Sequence, residues 1–206
     1  MLQELKTSSP LIQERVVDTY FQRDKDHLCP NAILVDMEPK VINRCIQQEY
    51  KTSDGFVKWR FDPNNTVYRQ GGSGNNWALG YQYFHDPEIQ SLSQNLIRKQ
   101  LERLDCFTGF QIFQSLAGGT GSGLGAHLVE RLRDDYPGST ILNFSVWPYT
   151  NGEVILQNYN ILLTLSHLLE HSDGVVTIFN DQILTICKEL LKNPKPSFKI
   201  LNQVIS

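Results

Sequence analysis

The run Ala117-Gly118-Gly119-Thr120-Gly121-Ser122-Gly123 constrains this chain more than any other segment. Five glycines fall within residues 118–126, denser than a simple turn needs. The run follows an apolar stretch, Phe110 to Leu116, that reads as a strand. It precedes Leu124, Leu128 and Leu132, spaced as on a helix. Such a unit aims backbone N–H groups and a helix N-terminus at one point, and absent Cβ atoms let an anion come close. Thr120 and Ser122 add hydroxyl donors. Phosphate binding is the natural reading, and a tight turn is the bland one.

The same alternation recurs along the chain. Ala32 to Val35 is a short apolar run of the buried-strand kind, and Pro39 then opens a helix carrying Val41, Ile42, Cys45 and Ile46. Residues 51–70 read as irregular, and Gly71 to Gly74 as a loop. Asp86-Pro87 starts a helix with Ile89, Leu92, Leu96, Leu101 and Leu104 on one face. Thr140 to Val146 and Gly174 to Phe179 read as strands. Residues 152–170 read as an apolar helix packed on most sides. Asp181 to Lys192 reads as a helix with Ile183, Ile186, Cys187, Leu190 and Leu191 inward, and Ser197 caps a last helix. Strands alternating with helices give an α/β class, Rossmann-like with a largely parallel sheet, whose ligands bind at the carboxyl ends of the strands.

Composition removes several classes. The 206 residues carry a net charge of −3 with no lysine or arginine run, so nucleic acid is not an expected partner. No apolar stretch reaches membrane length, and the start MLQELKTSSP lacks a signal-peptide core. Cys29, Cys45, Cys106 and Cys187 are scattered, with no CxxC pair, which suits a reducing, cytoplasmic setting. A phosphate would then be held by backbone amides and a metal.

Two familiar phosphate motifs fail. No lysine follows the glycines as a P-loop requires. Gly121, Gly123 and Ala126 fit GxGxxA, but the stretch Leu142 to Trp147 lacks the ribose-binding acid of a dinucleotide fold. His167-Leu168-Leu169-Glu170-His171 matches the inverted zinc-peptidase pattern HxxEH. A third ligand must come from elsewhere, and a solvent-facing helix end explains the histidines as well.

Gly118 to Gly123, the GGTGSG run, resembles the signature loop of the tubulin family. Asp36-Met37-Glu38-Pro39, Gly74-Asn75-Asn76-Trp77-Ala78, Tyr159-Asn160 and Asn180-Asp181 agree in order and spacing. The stretches Leu34 to Asn43, Gly72 to Ala78 and Trp147-Pro148-Tyr149 resemble the delta branch in particular. The resemblance runs from about residue 31 to the end. It implies a divergent polar segment over 1–30 and a partial tubulin GTP-binding domain over 31–206, ending in the family's central helix.

The resemblance also implies a site for GTP or GDP with Mg²⁺. Glu38 is similar to the acid near the magnesium, with Asp36 in support. Gly72, Ser73, Gly74 and Asn75 resemble the loop that senses the terminal phosphate. Gly118, Gly119, Thr120, Gly121 and Ser122 resemble the phosphate cradle, with Ser115 beside base or sugar. Glu153 resembles the ribose-side acid and Asn180 a base-edge reader. Phe198 and Asn202, four apart on a helix, resemble the base-stacking aromatic and the base-edge asparagine. Taken alone, Glu38 and Glu153 are also ordinary first-turn acids, Asn180 an N-cap and Phe198 a core residue.

The implied partners are other tubulin subunits or centriolar proteins, with no membrane insertion. The implied setting is the cytoplasmic cytoskeleton, centriole or basal body and cilium, with the nucleus as a further location. The chain departs from the family pattern at Ala117, Gln157 and Phe198. The family's opening strand, glutamine-rich loop and catalytic acid have no counterpart among its motifs, so hydrolysis by this chain alone is not expected. The rival readings are an active GTPase of the superfamily that includes bacterial division filaments, and an adaptor keeping only the fold. A parallel sheet without its opening strand has an exposed edge. The purified chain is therefore expected to be poorly stable, and a cooperative melt with a high midpoint would contradict that.

Overall fold

The computed structural model describes residues 15, 17–24, 27–51, 58–152 and 154–205. The chain forms two compact units, Met1–Gly71 with Glu88–Phe107 and Gly72–Pro87 with Thr108–Ser206.

In the first unit β1 (Phe21–Asp24) and β2 (His27–Pro30) pair antiparallel. Two short strands, β4 (Tyr50–Lys51) and β5 (Lys58–Trp59), extend that sheet in the order β1-β2-β5-β4. Tyr50 stacks on Trp59 with centroids 4.0 Å apart, and Phe21 and Phe61 meet Trp59 edge-on. A separate parallel pair joins β3 (Leu34–Asp36) to β6 (Thr66–Tyr68). These strands correct two expectations. The polar segment before residue 31 contains a hairpin, and the stretch read as irregular contributes β5 and β6. Strands of two to four residues are too short to show alternation, and aromatic pairing carries the outer sheet instead.

Helix α1 (Pro39–Gln47) starts at the expected proline, with Ile42 buried. Helix α3 (Pro87–Leu101) buries Ile89, Ser93, Leu96 and Gln100, whereas Leu92 is exposed. The Gln100 amide donates to Asn65 Oδ1 at 2.8 Å, and Leu34 N donates to Asn65 O at 2.9 Å. Asn65 therefore ties α3 to the β3–β6 ladder.

In the second unit β7 (Gly109–Ser115), β8 (Thr140–Trp147) and β9 (Gly174–Phe179) form a parallel sheet with β8 central. Helix α2 (Trp77–Tyr83) precedes it. The glycine run becomes a π-helical turn, Thr120–Leu124, that continues into α4 (Gly125–Asp135). Helices α5 (Gln157–His171), α6 (Asn180–Glu189) and α7 (Phe198–Ile205) follow. Ile141, Leu116, Val129, Ala126 and Leu168 are fully buried in this core.

Helix α5 begins later than expected and is not wrapped on most sides. It buries Asn160, Ile161, Thr164 and Leu168 while Leu162 and Leu169 stay 69% and 75% exposed. Its inward side follows the 3.6-residue period, and the remaining leucines fall outside that stripe. In α6 only Cys187 is buried, and Leu190 and Leu191 lie beyond the helix end, exposed. The carbonyl of Ser197 accepts Ile200 N and Leu201 N at the start of α7. No disulfide joins the four cysteines, and no described helix is long and apolar enough to cross a membrane.

Arg133 closes the end of this unit away from the glycine loop. Its guanidinium donates to the carbonyls of His171, Pro137 and Ser139 at 3.0–3.2 Å and to Asp173 Oδ2 at 2.6 Å. Asp173 Oδ2 also accepts Ile141 N at 2.7 Å. The backbone donor at Ile141 first, then Arg133, holds the Asp173 carboxyl below the usual aspartate value. Arg133→Met should lower stability by about 2 kcal/mol, which is about 4–8 °C in Tm for a chain of this size. The Asp173 contribution should be full above its ordinary pKa of 3.8 and vanish as pH falls through the lowered value. Asp173→Asn should flatten that part of the Tm–pH curve; an unchanged slope would contradict the assignment.

Candidate functional site

Registers Ser115↔Val146 and Trp147↔Phe179 bring the carboxyl ends of β7, β8 and β9 to one edge. Ser115, the glycine loop, the segment after Trp147 and Asn180 all leave from that edge. In an open parallel sheet this edge is where ligands bind.

The glycine loop departs from β7 with Leu116 N still donating to Val146 O at 3.1 Å. Ala117 N then turns back to Ser115 Oγ at 3.4 Å. Within the turn Gly123 N donates to Gly119 O at 2.8 Å, and Gly125 N reaches Thr120 O and Ser122 O. The N–H groups of Gly118, Gly119, Thr120, Gly121 and Ser122 find no acceptor among the described residues. Backbone donors left over at a helix start are the kind of group that anions bind. One expectation needs correcting. The buried Ser122 hydroxyl donates back to Gly118 O within the loop, so its backbone N–H is the group left to donate outward. The Thr120 hydroxyl has no partner among the described residues.

The second loop packs against the first. Gly72, Gly74 and Asn75 take φ of 61°, 56° and 55°, the left-handed region that glycine and asparagine tolerate. Asn76 N donates to Ser73 O at 3.0 Å, and Asn76 Oδ1 caps α2 by accepting Ala78 N at 2.9 Å. A Cβ on Gly119 would collide with the side chain of Ser73. One on Gly80 would strike Gly119 O, and one on Gly123 would strike Trp77 O. These three glycines are explained by backbone packing alone. Gly118 is different: its Cβ would meet only Asn75 Oδ1, at 3.7 Å.

Asn160 on α5 joins the two loops. Its amide donates to Asn75 O at 2.8 Å and Ala117 O at 2.7 Å, and its Oδ1 accepts Trp77 N at 3.2 Å. It is 2% exposed, and Thr164 Oγ1 donates to its carbonyl at 2.6 Å. Sequence reasoning singled out Tyr159-Asn160 only as part of a resemblance. The available signal was its period: Asn160 falls on the face of Ile161, Thr164 and Leu168, where an unpaired polar group would be costly, whereas the neighbouring amide Asn158 does not.

The other candidates are less drawn together. Glu38 follows β3 as the N-cap of α1 with no side-chain cap bond, and its N–H donates to Asp36 Oδ1 at 3.4 Å. Its exposed carboxylate has no partner among the described residues. Asn180 does not cap α6: it is the first helical residue, Phe179 is the cap, and no side-chain cap bond forms. Its neighbour Asp181 accepts Thr150 Oγ1 at 2.7 Å and Thr150 N at 2.9 Å, which lowers the Asp181 carboxyl pKa and anchors the segment after β8. Phe198, 75% exposed, and Asn202 stand on the outward side of α7, while Leu201 is buried. No described hydrogen bond or ring contact joins them to the loops. Glu153 lies outside the described residues.

Known proteins give the context for this edge. The family model described as Tubulin/FtsZ family, GTPase domain matches residues 2–188. The match begins well before residue 31, where the motifs start, and ends before Phe198 and Asn202. The human tubulin delta chain is 45% identical over 175 residues, covering 85% of this chain and 38% of that one. The mouse tubulin delta chain is 42% identical over 188 residues, 90% of this chain and 40% of that one. The tubulin beta-6 chain of Gossypium hirsutum is 34% identical over 200 residues, 97% of this chain and 43% of that one. The chain thus spans about two-fifths of the length of these relatives. With a glycine loop, an Asn-Asn-Trp loop and a parallel sheet in the arrangement those motifs called for, and a family match over most of its length, this chain belongs to the Tubulin/FtsZ family through its GTPase domain.

Proposed function

We propose that this chain binds a guanine nucleotide, GTP or GDP, as the nucleotide-holding part of a delta-type tubulin. The observation that carries the reading is the row of five N–H groups from Gly118 to Ser122 without an acceptor among the described residues, with an open Cβ position at Gly118. Packing requires Gly119 and Gly123 and leaves Gly118 unexplained, and a phosphate oxygen close to the Gly118 backbone explains it. The left-handed Asn75 sets its side-chain oxygen beside Gly118, and its amide N–H groups are left to donate to the same anion.

The Asn180 side chain, which makes no cap bond, offers both donor and acceptor to a guanine edge, and the exposed ring of Phe198 with Asn202 offers a stacking face. Ser115 and Glu153 complete the sugar side of this reading. A magnesium ion would supply charge neutralisation to a nucleotide's terminal phosphates, and in the other unit the exposed Glu38 carboxylate, with Asp36, is an oxygen donor of the kind magnesium takes. In this reading the chain's own work is binding and orientation. The assembly role follows the delta-chain relatives: subunits of tubulin or centriolar proteins as partners, at the cytoskeleton of centriole, basal body and cilium. The outward Tyr159, Leu162 and Leu169 on α5 support an assembly surface.

Equilibrium binding of fluorescently labelled GDP to the purified chain with Mg²⁺ tests the reading. Gly118→Ala should weaken binding roughly tenfold, about 1.4 kcal/mol, without moving the melting temperature, because its Cβ has room. Asn160→Ala should weaken binding and also destabilise the fold by about 2–3 kcal/mol, because it leaves buried groups at Asn75, Trp77 and Ala117 unpaired. Identical GDP affinity in the parent, Gly118→Ala and the Phe198→Ala/Asn202→Ala double variant would leave an adaptor that keeps only the fold.

A further inference from the structure

Glu130, His167 and His171 form a cluster that the nucleotide reading does not use. One donor atom from each side chain lies within 4.8 Å of the other two, and all three residues are half-buried. His167 and His171 are four apart on α5, so they share a face, and Glu130 comes from the neighbouring α4. Neither imidazole has a hydrogen-bond partner among the described residues. We infer that this cluster is a binding site for a divalent transition metal of the zinc class, held between α4 and α5.

The chemistry of the donors selects the class. Two imidazoles and one carboxylate suit zinc and its neighbours, whereas magnesium and calcium call for oxygen ligands throughout. Adjacent donors in a tetrahedral zinc site stand about 3.3 Å apart, given bonds of about 2.0–2.1 Å. Closing from 4.8 Å asks only for rotation of side chains that are not fully buried. Three protein ligands leave a fourth position for water.

The surroundings hold the ligands as a metal site requires. Tyr81 Oη donates to Glu130 Oε2 at 2.5 Å, orienting the carboxylate and leaving its other oxygen for the ion. The His167 ring lies parallel to Trp77 and Tyr81, with centroids 5.1 and 5.2 Å apart. Arg133 Nε donates to His171 O at 3.0 Å, fixing the end of α5.

The site differs from the peptidase that the HxxEH pattern suggested. Glu170, the acid of that pattern, is exposed and outside the cluster. The third ligand is upstream, on α4, where a pattern read along one helix does not reach. A structural ion that pins α4 to α5 fits this arrangement.

The full chain, stripped with a chelator, is titrated with Co²⁺ and then with Zn²⁺. One equivalent of Co²⁺ should give the visible absorption of a four-coordinate nitrogen–oxygen site, and Zn²⁺ should displace it. His171→Ala and Glu130→Gln should each weaken Zn²⁺ binding roughly tenfold or more, and Tyr81→Phe about tenfold. Zn²⁺ should raise the melting temperature of the parent and not of these variants. Glu130→Gln keeps the side-chain size and an acceptor for Tyr81, so it stands as the test if His171→Ala fails to fold. Absence of binding, equal affinity across parent and variants, or the near-ultraviolet band of thiolate ligation by cysteine would each overturn the site.

Discussion

Everything at the carboxyl edge of the sheet hangs on one buried amide. Asn160 spends both donors and its acceptor on the backbones of two loops and a helix start, at Asn75, Ala117 and Trp77. Neither loop is held by a regular ladder at those points. Backbone groups that are neither in a ladder nor in water need side-chain partners. A side chain with one acceptor and two donors, fixed by a helix beneath, satisfies three of them at once. Leucine at the same position would fill the volume and leave two carbonyls and one N–H stranded.

With the loops fixed in this way, glycine divides into two roles. Gly80, Gly119 and Gly123 let α2, the second loop and the π turn approach backbone to backbone. The π turn widens the start of α4, so several N–H groups stay unclaimed where a tighter turn would begin closing its bonds sooner. Gly118 has no such neighbour. A glycine-rich run read from sequence looks like a single device for a ligand. In space most of it is packing, and the share that speaks for a ligand is one residue and a row of donors.

What the sequence made legible follows from length and period. The strands of six to eight residues at β7, β8 and β9, and the proline-started helices, were readable because pattern accumulates over that many residues. Strands β1, β5 and β6 were not, since two to four residues carry no period and their pairing is decided by distant partners such as Trp59 with Tyr50. The candidate loops were readable as motifs, whereas the connection between them was not. Asn160 lies 85 residues from Asn75 and 43 from Ala117, a separation no local motif spans. Asn180 misled in the opposite way: asparagine before a helix usually caps it, and here the helix starts on it.

The inward side of α5 shows how one helix serves two ends of a unit. Asn160, Thr164, His167 and His171 succeed one another at spacings of four, three and four, so they line one side of the helix. The first holds the loops, and the last two stand with Glu130 in the cluster between α4 and α5. Trp77 touches both ends. Its backbone N–H donates to Asn160 Oδ1, and its ring stacks on His167 with centroids 5.1 Å apart. The apolar residues between, Ile161 and Leu168, are buried and fix the rotation of the helix. A slip of one residue would turn Asn160 by about 100° away from the loops and carry His167 and His171 away from Glu130 by the same rotation. The core of α5 thereby sets both constellations at once, and the polar residue between them, Thr164, is tolerated because its hydroxyl donates to the Asn160 carbonyl of the same helix.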